Sequence, residues 1–182
     1  MDLNYLFKNF KKEAFRLELL KTYCVEEEQE SFQKFKKGIT FIDYNMDEFC
    51  KFIARMIKEG KSLLRIHIIP NKLNNYLRFE IQTAYIPQLK SGSRIYLLDK
   101  QTYSKILKEN FDNKFKPIDF WLFDDKHLVE MFYGPNGNFI KEIFIKNKDM
   151  FSNYLKLKET LLKVAIPLDK WIKSNKKLLT PT

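Results

Sequence analysis

Hydrophobic positions recur along this chain at two periods, and the change of period divides it. Over residues 2–21, Leu3, Leu6, Phe7, Phe10, Ala14 and Leu17 return at spacings of three and four. That spacing predicts an amphipathic helix, with Lys8, Lys11 and Lys12 mostly on its other side. The run Glu26-Glu27-Glu28-Gln29-Glu30 opens a second helix, because carboxylates in a first turn complement the helix dipole. Gly38 closes it, and Phe32 and Phe35 are its buried contacts. Residues 39–44 read as a short β-like run. Asp43 or Asn45 then caps a third helix over 46–59, whose apolar side is Phe49, Ile53, Met56 and Ile57.

Period two takes over at 62–69. Leu64, Ile66 and Ile68 share one face of a strand, and Leu63, Arg65, His67 and Ile69 share the other. A helix over 74–89 follows, ended or kinked by Pro87. A short strand over 94–98 and a helix over 102–110 complete an alternation of helix and strand that predicts an α/β layer. Beyond it, 120–123, 128–133 and 139–145 read as three successive strands. Asp124-Asp125-Lys126-His127 joins the first pair and Gly134-Pro135-Asn136-Gly137 the second, which makes an antiparallel meander. Helices over 148–164 and 168–174 close the chain.

The expected fold is therefore α/β, or α+β, with helices flanking a mixed sheet and an antiparallel meander on the C-terminal side. One domain over 1–182 is expected, with N-terminal helices over 2–38, an α/β part over 39–115, the meander over 119–146 and C-terminal helices over 148–175. Its 182 residues, 45% of them hydrophobic, suffice for a sizeable core.

Charge adds one hint. A formal net charge of +10 attracts polyanions such as nucleic acid, anionic lipid or an acidic protein. The lysines are dispersed, which equally fits an ordinary solvated surface. The two cysteines, Cys24 and Cys50, fit no zinc pattern. No leader and no apolar run long enough to span a bilayer is present, so a reduced, cytoplasmic protein is expected.

Three segments carry a resemblance: Phe15-Arg16-Leu17-Glu18, Tyr76-Leu77-Arg78-Phe79-Glu80 and Asp119-Phe120-Trp121-Leu122-Phe123-Asp124. Together they resemble the signatures of an uncharacterised bacterial family built on a domain of unknown function, often encoded beside helix-turn-helix regulators. The likeness spans roughly 5–165 and implies no assigned activity. A weaker, architectural similarity is to degenerate phospholipase-D-like domains, which bind ligands after losing catalysis. Active members need a histidine-x-lysine pattern. Here His67 is followed two positions on by Ile69, and His127 by Val129.

The candidate chemistry lies in two groups. Arg16, Glu18, Arg65, Arg78 and Glu80 stand inside or beside apolar segments, and a buried charge must be paired. Arg–Glu and Arg–Asp pairs are expected, Arg78 with Asp119 or Asp124 in particular. An arginine left over would bind phosphate or carboxylate. The second group is Asp119, Asp124, Asp125 and His127, which could hold a metal or transfer protons; Asp124 and Asp125 alternatively shape a turn. Trp121, Phe123, Phe132 and Tyr133 are core aromatics or, alternatively, a stacking platform.

No phosphate loop or serine-nucleophile motif is present. The favoured reading is a non-enzymatic regulatory or binding module that recognises an anionic ligand or a partner through Arg16, Glu18, Arg65, Arg78, Glu80, Asp119 and Asp124, with no cofactor and no bound metal. The alternatives are nucleic-acid binding through the basic surface, and a metal-dependent hydrolase or nuclease working through Asp119, Asp124, Asp125 and His127.

Overall fold

A computed structural model describes residues 2–39 and 44–179. The β run expected over 39–44 and the caps expected at Asp43 or Asn45 involve residues outside the described backbone or side chains. Helix α1 (Leu3–Asn9) leads into strand β1 (Glu13–Glu18), and a single helical turn (Glu26–Glu28) runs into α2 (Gln29–Lys36). Then come α3 (Tyr44–Lys58), β2 (Ser62–Ile69), α4 (Asn75–Glu80), a π turn (Ile81–Tyr85), α5 (Ile86–Lys90), β3 (Arg94–Asp99) and α6 (Lys100–Asn110). The meander is β4 (Phe120–Phe123), β5 (His127–Tyr133) and β6 (Phe139–Ile145). Helix α7 (Lys148–Leu162), the two-residue β7 (Ile166–Pro167), α8 (Leu168–Asn175) and a last turn (Lys176–Leu179) complete the chain.

The strands form one seven-stranded mixed sheet in the order β6-β5-β4-β1-β2-β3-β7. β1, β2 and β3 are parallel, whereas β4, β5 and β6 form an antiparallel meander and β7 lies antiparallel to β3. This is the expected α/β architecture, helices flanking a mixed sheet that ends in a meander.

The N-terminal expectation is corrected. Residues 13–18 are not part of a helix running over 2–21; they are the central strand, and the N-terminal part is not all helical. The helical stripe through Leu6, Phe10, Ala14 and Leu17 omits Phe15. As a strand, Phe15 and Leu17 both bury completely on one face. A fully buried side chain of this size is worth about 1.5–3 kcal/mol. Both edges of β1 find partners, β2 on one side and β4 on the other. Those partners lie 44 or more residues away in sequence, so no local pattern announces them.

The two faces differ. On one, Phe15, Leu17, Leu64, Ile66, Phe120 and Leu122 pack under α6 and α7, with Tyr154 and Leu157. On the other, the apolar contacts split in two. Leu77, Ile81, Ile95, Leu97 and Trp171 form one cluster under α4, α5 and α8, and Phe10, Ala14, Ile53, Leu63 and Phe123 form another under α1 and α3. Between them the central strands present Arg16, Glu18, Arg65 and His67, following from the alternation of side chains along β1 and β2.

The turn after β4 explains two of the acids. Asp124 and Asp125 have φ of 55° and 52°, and Lys126 N–H donates to the Phe123 carbonyl at 2.9 Å. Positive φ at both central positions is what a tight hairpin turn of matching twist requires, and Asp tolerates it. The Asp124 carboxylate accepts the backbone N–H groups of Lys11, Lys12 and Glu13 at 2.7, 2.6 and 3.0 Å, fastening the entry to β1. Asp124→Ala should therefore cost about 2 kcal/mol in urea denaturation, the scale of hydrogen bonds to a charged group. Asp124→Asn, which keeps the tolerance of positive φ, should lose less; equal and negligible losses would show that the fastening contributes nothing.

Candidate functional site

The polar strip on the divided face is built by register. β1 and β2 run parallel with Arg16 beside Arg65 and Glu18 beside His67. Two guanidinium groups thus lie side by side in the interior. Glu18 answers both: its two oxygens accept from Arg65 Nη1, each at 2.7 Å, and its Oε1 lies 3.5 Å from Arg16 Nε. Arg16 Nη2 continues to Asp119 at 3.1 Å and to the Tyr133 hydroxyl at 2.9 Å, while Nη1 is buried without a hydrogen-bond partner. Asp119 also accepts from the Leu19 N–H at 3.0 Å and the Tyr23 hydroxyl at 2.5 Å.

The other side of the strip belongs to the helical run after β2. Asn74 caps α4 by accepting the Leu77 N–H at 2.8 Å. The π turn that follows closes i to i+5 and holds residues five apart on one side, here Glu80 and Tyr85. It also relieves the ring of Pro87, which an unbroken α-helix would press against the carbonyl four residues earlier. The expected kink is this extra residue per turn. The Tyr85 hydroxyl lies 2.8 Å from Glu18 Oε2 and 2.6 Å from His67 Nδ1, and His67 Nε2 lies 2.8 Å from the Leu20 carbonyl. Glu80 Oε2 stands 3.5 Å from His67 Nδ1 and has no hydrogen-bond partner.

Part of this network opens onto a cavity of about 420 Å³. Glu18, Arg65, Glu80 and Tyr85 lie at its base, and Tyr23, Tyr76 and Tyr133 form an aromatic wall. Gly137 sits on its rim with φ +81°, and a Cβ there would meet the Thr22 carbonyl at 2.4 Å. Glycine is required for the β5–β6 turn to approach the loop after β1 so closely.

The electrostatics follow from burial set against pairing. Burial opposes ionisation of Glu18, but Arg65 and then Arg16 hold its carboxyl down at about 2. Burial and the neighbouring Glu18 push Glu80 well above the usual carboxylate range. Burial lowers His67 and raises Tyr85 and Tyr23. Burial also carries Asp119 up to about 6, against the pull of Arg16 and Tyr23. Arg16 and Arg65 are thus set against Glu18 and Asp119.

A model of the family described as Domain of unknown function (DUF6879) matches residues 1–173. The chain belongs to the DUF6879 family. No curated protein matches it. In this DUF6879 chain, Arg16, Glu18, Arg65, Glu80 and Asp119 come together, five of the seven positions expected to frame a ligand site. The other two do not join them. Arg78 does not pair with Asp119 or Asp124; its Nε donates to the Leu178 carbonyl at 2.8 Å and its Nη1 to Asn75 at 2.9 Å. Two residues before Glu80 on a helix, it faces away from the cavity that Glu80 lines. Asp124 is at the hairpin turn.

The second group of acids is not assembled either. Asp119 joins Arg16, Asp124 fastens β1, Asp125 accepts from Lys158 at 2.7 Å, and only Asp125 and His127 share a cavity, a separate one of about 480 Å³. Trp121 and Phe123 pack in the core against Phe7. Sequence reasoning missed Tyr23 and Tyr85, and it read Tyr133 as a core aromatic or a stacking surface, where its hydroxyl accepts from Arg16. The one local signal was Tyr85 five residues after Glu80 ahead of a proline, the spacing of a π turn. His67, placed beside Arg65 on one strand face by the alternation, is fully buried in the network.

Asp119 supplies a pH test. Its folded-state pKa of about 6 lies above its ordinary 3.8, so protonation favours the folded state. Its contribution to stability rises as pH falls through that window, with Arg16, Tyr23, Glu18, Tyr103 and Tyr133 as the groups facing it. Asp119→Asn should remove that rise. Urea midpoints measured at neutral pH and near pH 4 read it as a difference in slope, and identical slopes would assign the protonation to another group.

Proposed function

We propose that this protein is a non-enzymatic binding module, and that its cavity takes a small anionic ligand or the carboxylate or phosphate group of a partner. A regulatory role in a bacterial cytoplasm, in the neighbourhood of helix-turn-helix regulators, belongs to the same proposal. One observation carries it. Arg65 makes both of its hydrogen bonds to Glu18 through a single nitrogen, Nη1, while its guanidinium forms part of the cavity wall with its side chain 15% exposed. The guanidinium fork matches carboxylate and phosphate, and the pair with Glu18 engages only one of its nitrogens. The Tyr85 ring lies 5.0 Å from the Arg65 carbon and holds the fork in place. The volume is in the range of small-molecule sites.

The walls narrow the ligand class. Glu28 and Glu142 also line the cavity. They favour a molecule with an anionic group for Arg65 and a hydrogen-bond donor or positive charge at its other end. Asp119 is taken up by Arg16 and Tyr23, Asp124 by three backbone N–H groups and Asp125 by Lys158, which supports binding over metal-dependent hydrolysis through Asp119, Asp124, Asp125 and His127.

Calorimetric titration of the full chain with inorganic phosphate and with small mono- and zwitterionic carboxylates tests the proposal. Arg65→Lys keeps the charge and loses the fork, and should weaken binding at least about tenfold, the worth of one charge-assisted hydrogen bond. Arg78→Ala should leave the affinity unchanged. Equal affinity in Arg65→Lys, or no binding of any of these anions by the folded protein, overturns it.

A further inference from the structure

The deepest part of the polar network holds more lone pairs than protons. His67 Nε2 faces the Leu20 carbonyl at 2.8 Å, and a carbonyl only accepts. The ring hydrogen of a neutral imidazole is therefore on Nε2, and Nδ1 presents a lone pair to the interior. Tyr85 has one hydroxyl proton and two acceptors within reach, Glu18 Oε2 at 2.8 Å and His67 Nδ1 at 2.6 Å. If it serves Glu18, which already accepts from Arg65 at 2.7 Å, Nδ1 is left facing oxygen. Glu80 does not supply the missing proton, because its Oε2 is 3.5 Å from Nδ1, too far for a hydrogen bond. That same Oε2 is buried and unpartnered.

We propose that Glu18, His67 and Glu80 form a binding site for a divalent transition-metal ion. Their donor atoms all lie within 4.8 Å of one another. Nδ1 is 3.7 Å from Glu18 Oε2 and 3.5 Å from Glu80 Oε2. Nitrogen and oxygen ligands held about 2.0–2.2 Å from one ion in tetrahedral geometry stand about 3.3–3.6 Å apart, so small side-chain adjustments close the site. The Leu20 carbonyl acts as the outer partner that orients a ligating imidazole. A dication gives Glu80 Oε2 the partner it lacks and takes up the Nδ1 lone pair that Tyr85 shares with Glu18. Tyr85 either becomes a further oxygen donor or turns into the cavity. The cavity leaves a position on the ion open for an exogenous ligand.

The donor set selects the metal class. One imidazole with two carboxylates suits Zn²⁺ or Mn²⁺ and not the all-oxygen shells of Ca²⁺ or Mg²⁺. Arg16 and Arg65 beside Glu18 oppose a cation, which draws the ion toward His67 and Glu80. The site does not depend on anion binding at Arg65.

The test uses the full chain, stripped with a chelator and titrated with Zn²⁺ in chloride buffer free of phosphate. One ion per chain is expected. Glu80→Gln matches the shape of the carboxyl and should fold while binding at least about tenfold more weakly, no less than the loss seen when merely supporting residues are removed. Cys24→Ser should bind as the parent does. No binding by the folded parent protein, or unchanged affinity in Glu80→Gln, overturns the proposal. X-ray absorption of the Zn²⁺-loaded parent protein decides the matter should that variant not fold. A nitrogen-and-oxygen shell without sulfur supports the site, and a sulfur neighbour assigns the ion to a cysteine and overturns it.

Discussion

A single carboxylate, that of Glu18, stands between two arginines in the middle of the sheet, and the rest of the divided face is arranged around it. Parallel pairing of β1 with β2 sets Arg16 next to Arg65. Neither can reach bulk water freely, since Arg16 is 3% exposed and Arg65 only partly so. Taking such charges out of water is expensive, and removing one partner of a buried pair costs about 3–5 kcal/mol. Asp119 therefore takes the far side of Arg16, and Tyr23, Tyr85 and Tyr133 supply hydroxyls to the carboxylates and to the guanidinium. A buried ion network of this kind is weak support for stability compared with an apolar core. Its presence at the centre of the sheet is instead an argument for use.

The cavity opens beside the same strip. The charged strip lies between two apolar clusters on this face, and α3 meets α5 beside it, where Gln88 Nε2 lies 3.6 Å from Met46 Sδ. The π turn then directs Glu80 and Tyr85 together at the strip, and the aromatic cluster of Tyr23, Phe35, Tyr76 and Phe79 roofs its end. Gly137 lets the meander turn press against the loop after β1, where Cys24 N–H donates to its carbonyl at 3.0 Å. Loop, helix and meander are thus brought to one place by three separate backbone devices. Among the described residues no helix is long and apolar enough to cross a membrane.

Reading the chain by periodicity succeeded where a segment's own pattern matched its burial. Residues 62–69 alternate and form β2 over the same span, and 120–123 form β4 as expected. The alternation in 62–69 also put Arg65 and His67 on one face, as observed. It failed at β1, where a helical stripe of apolar residues runs straight through a strand, because the deciding contacts come from β2 and β4. It also failed for Arg78, whose partner is the carbonyl of Leu178, 100 residues on. Two-residue β7 is too short to carry any period.

Amino-acid order by itself determined the α/β class, the meander with its turn chemistry, and the requirement that buried arginines meet carboxylates. Those follow from local alternation, from the conformations open to Gly, Asn and Asp, and from the energy of an unpaired interior charge. Tertiary structure alone decided which arginine meets which carboxylate, and that Glu18 rather than an aspartate is the hub. Pairings of that kind depend on strand register and on the phase of the helix after β2, and both are set by partners remote in sequence.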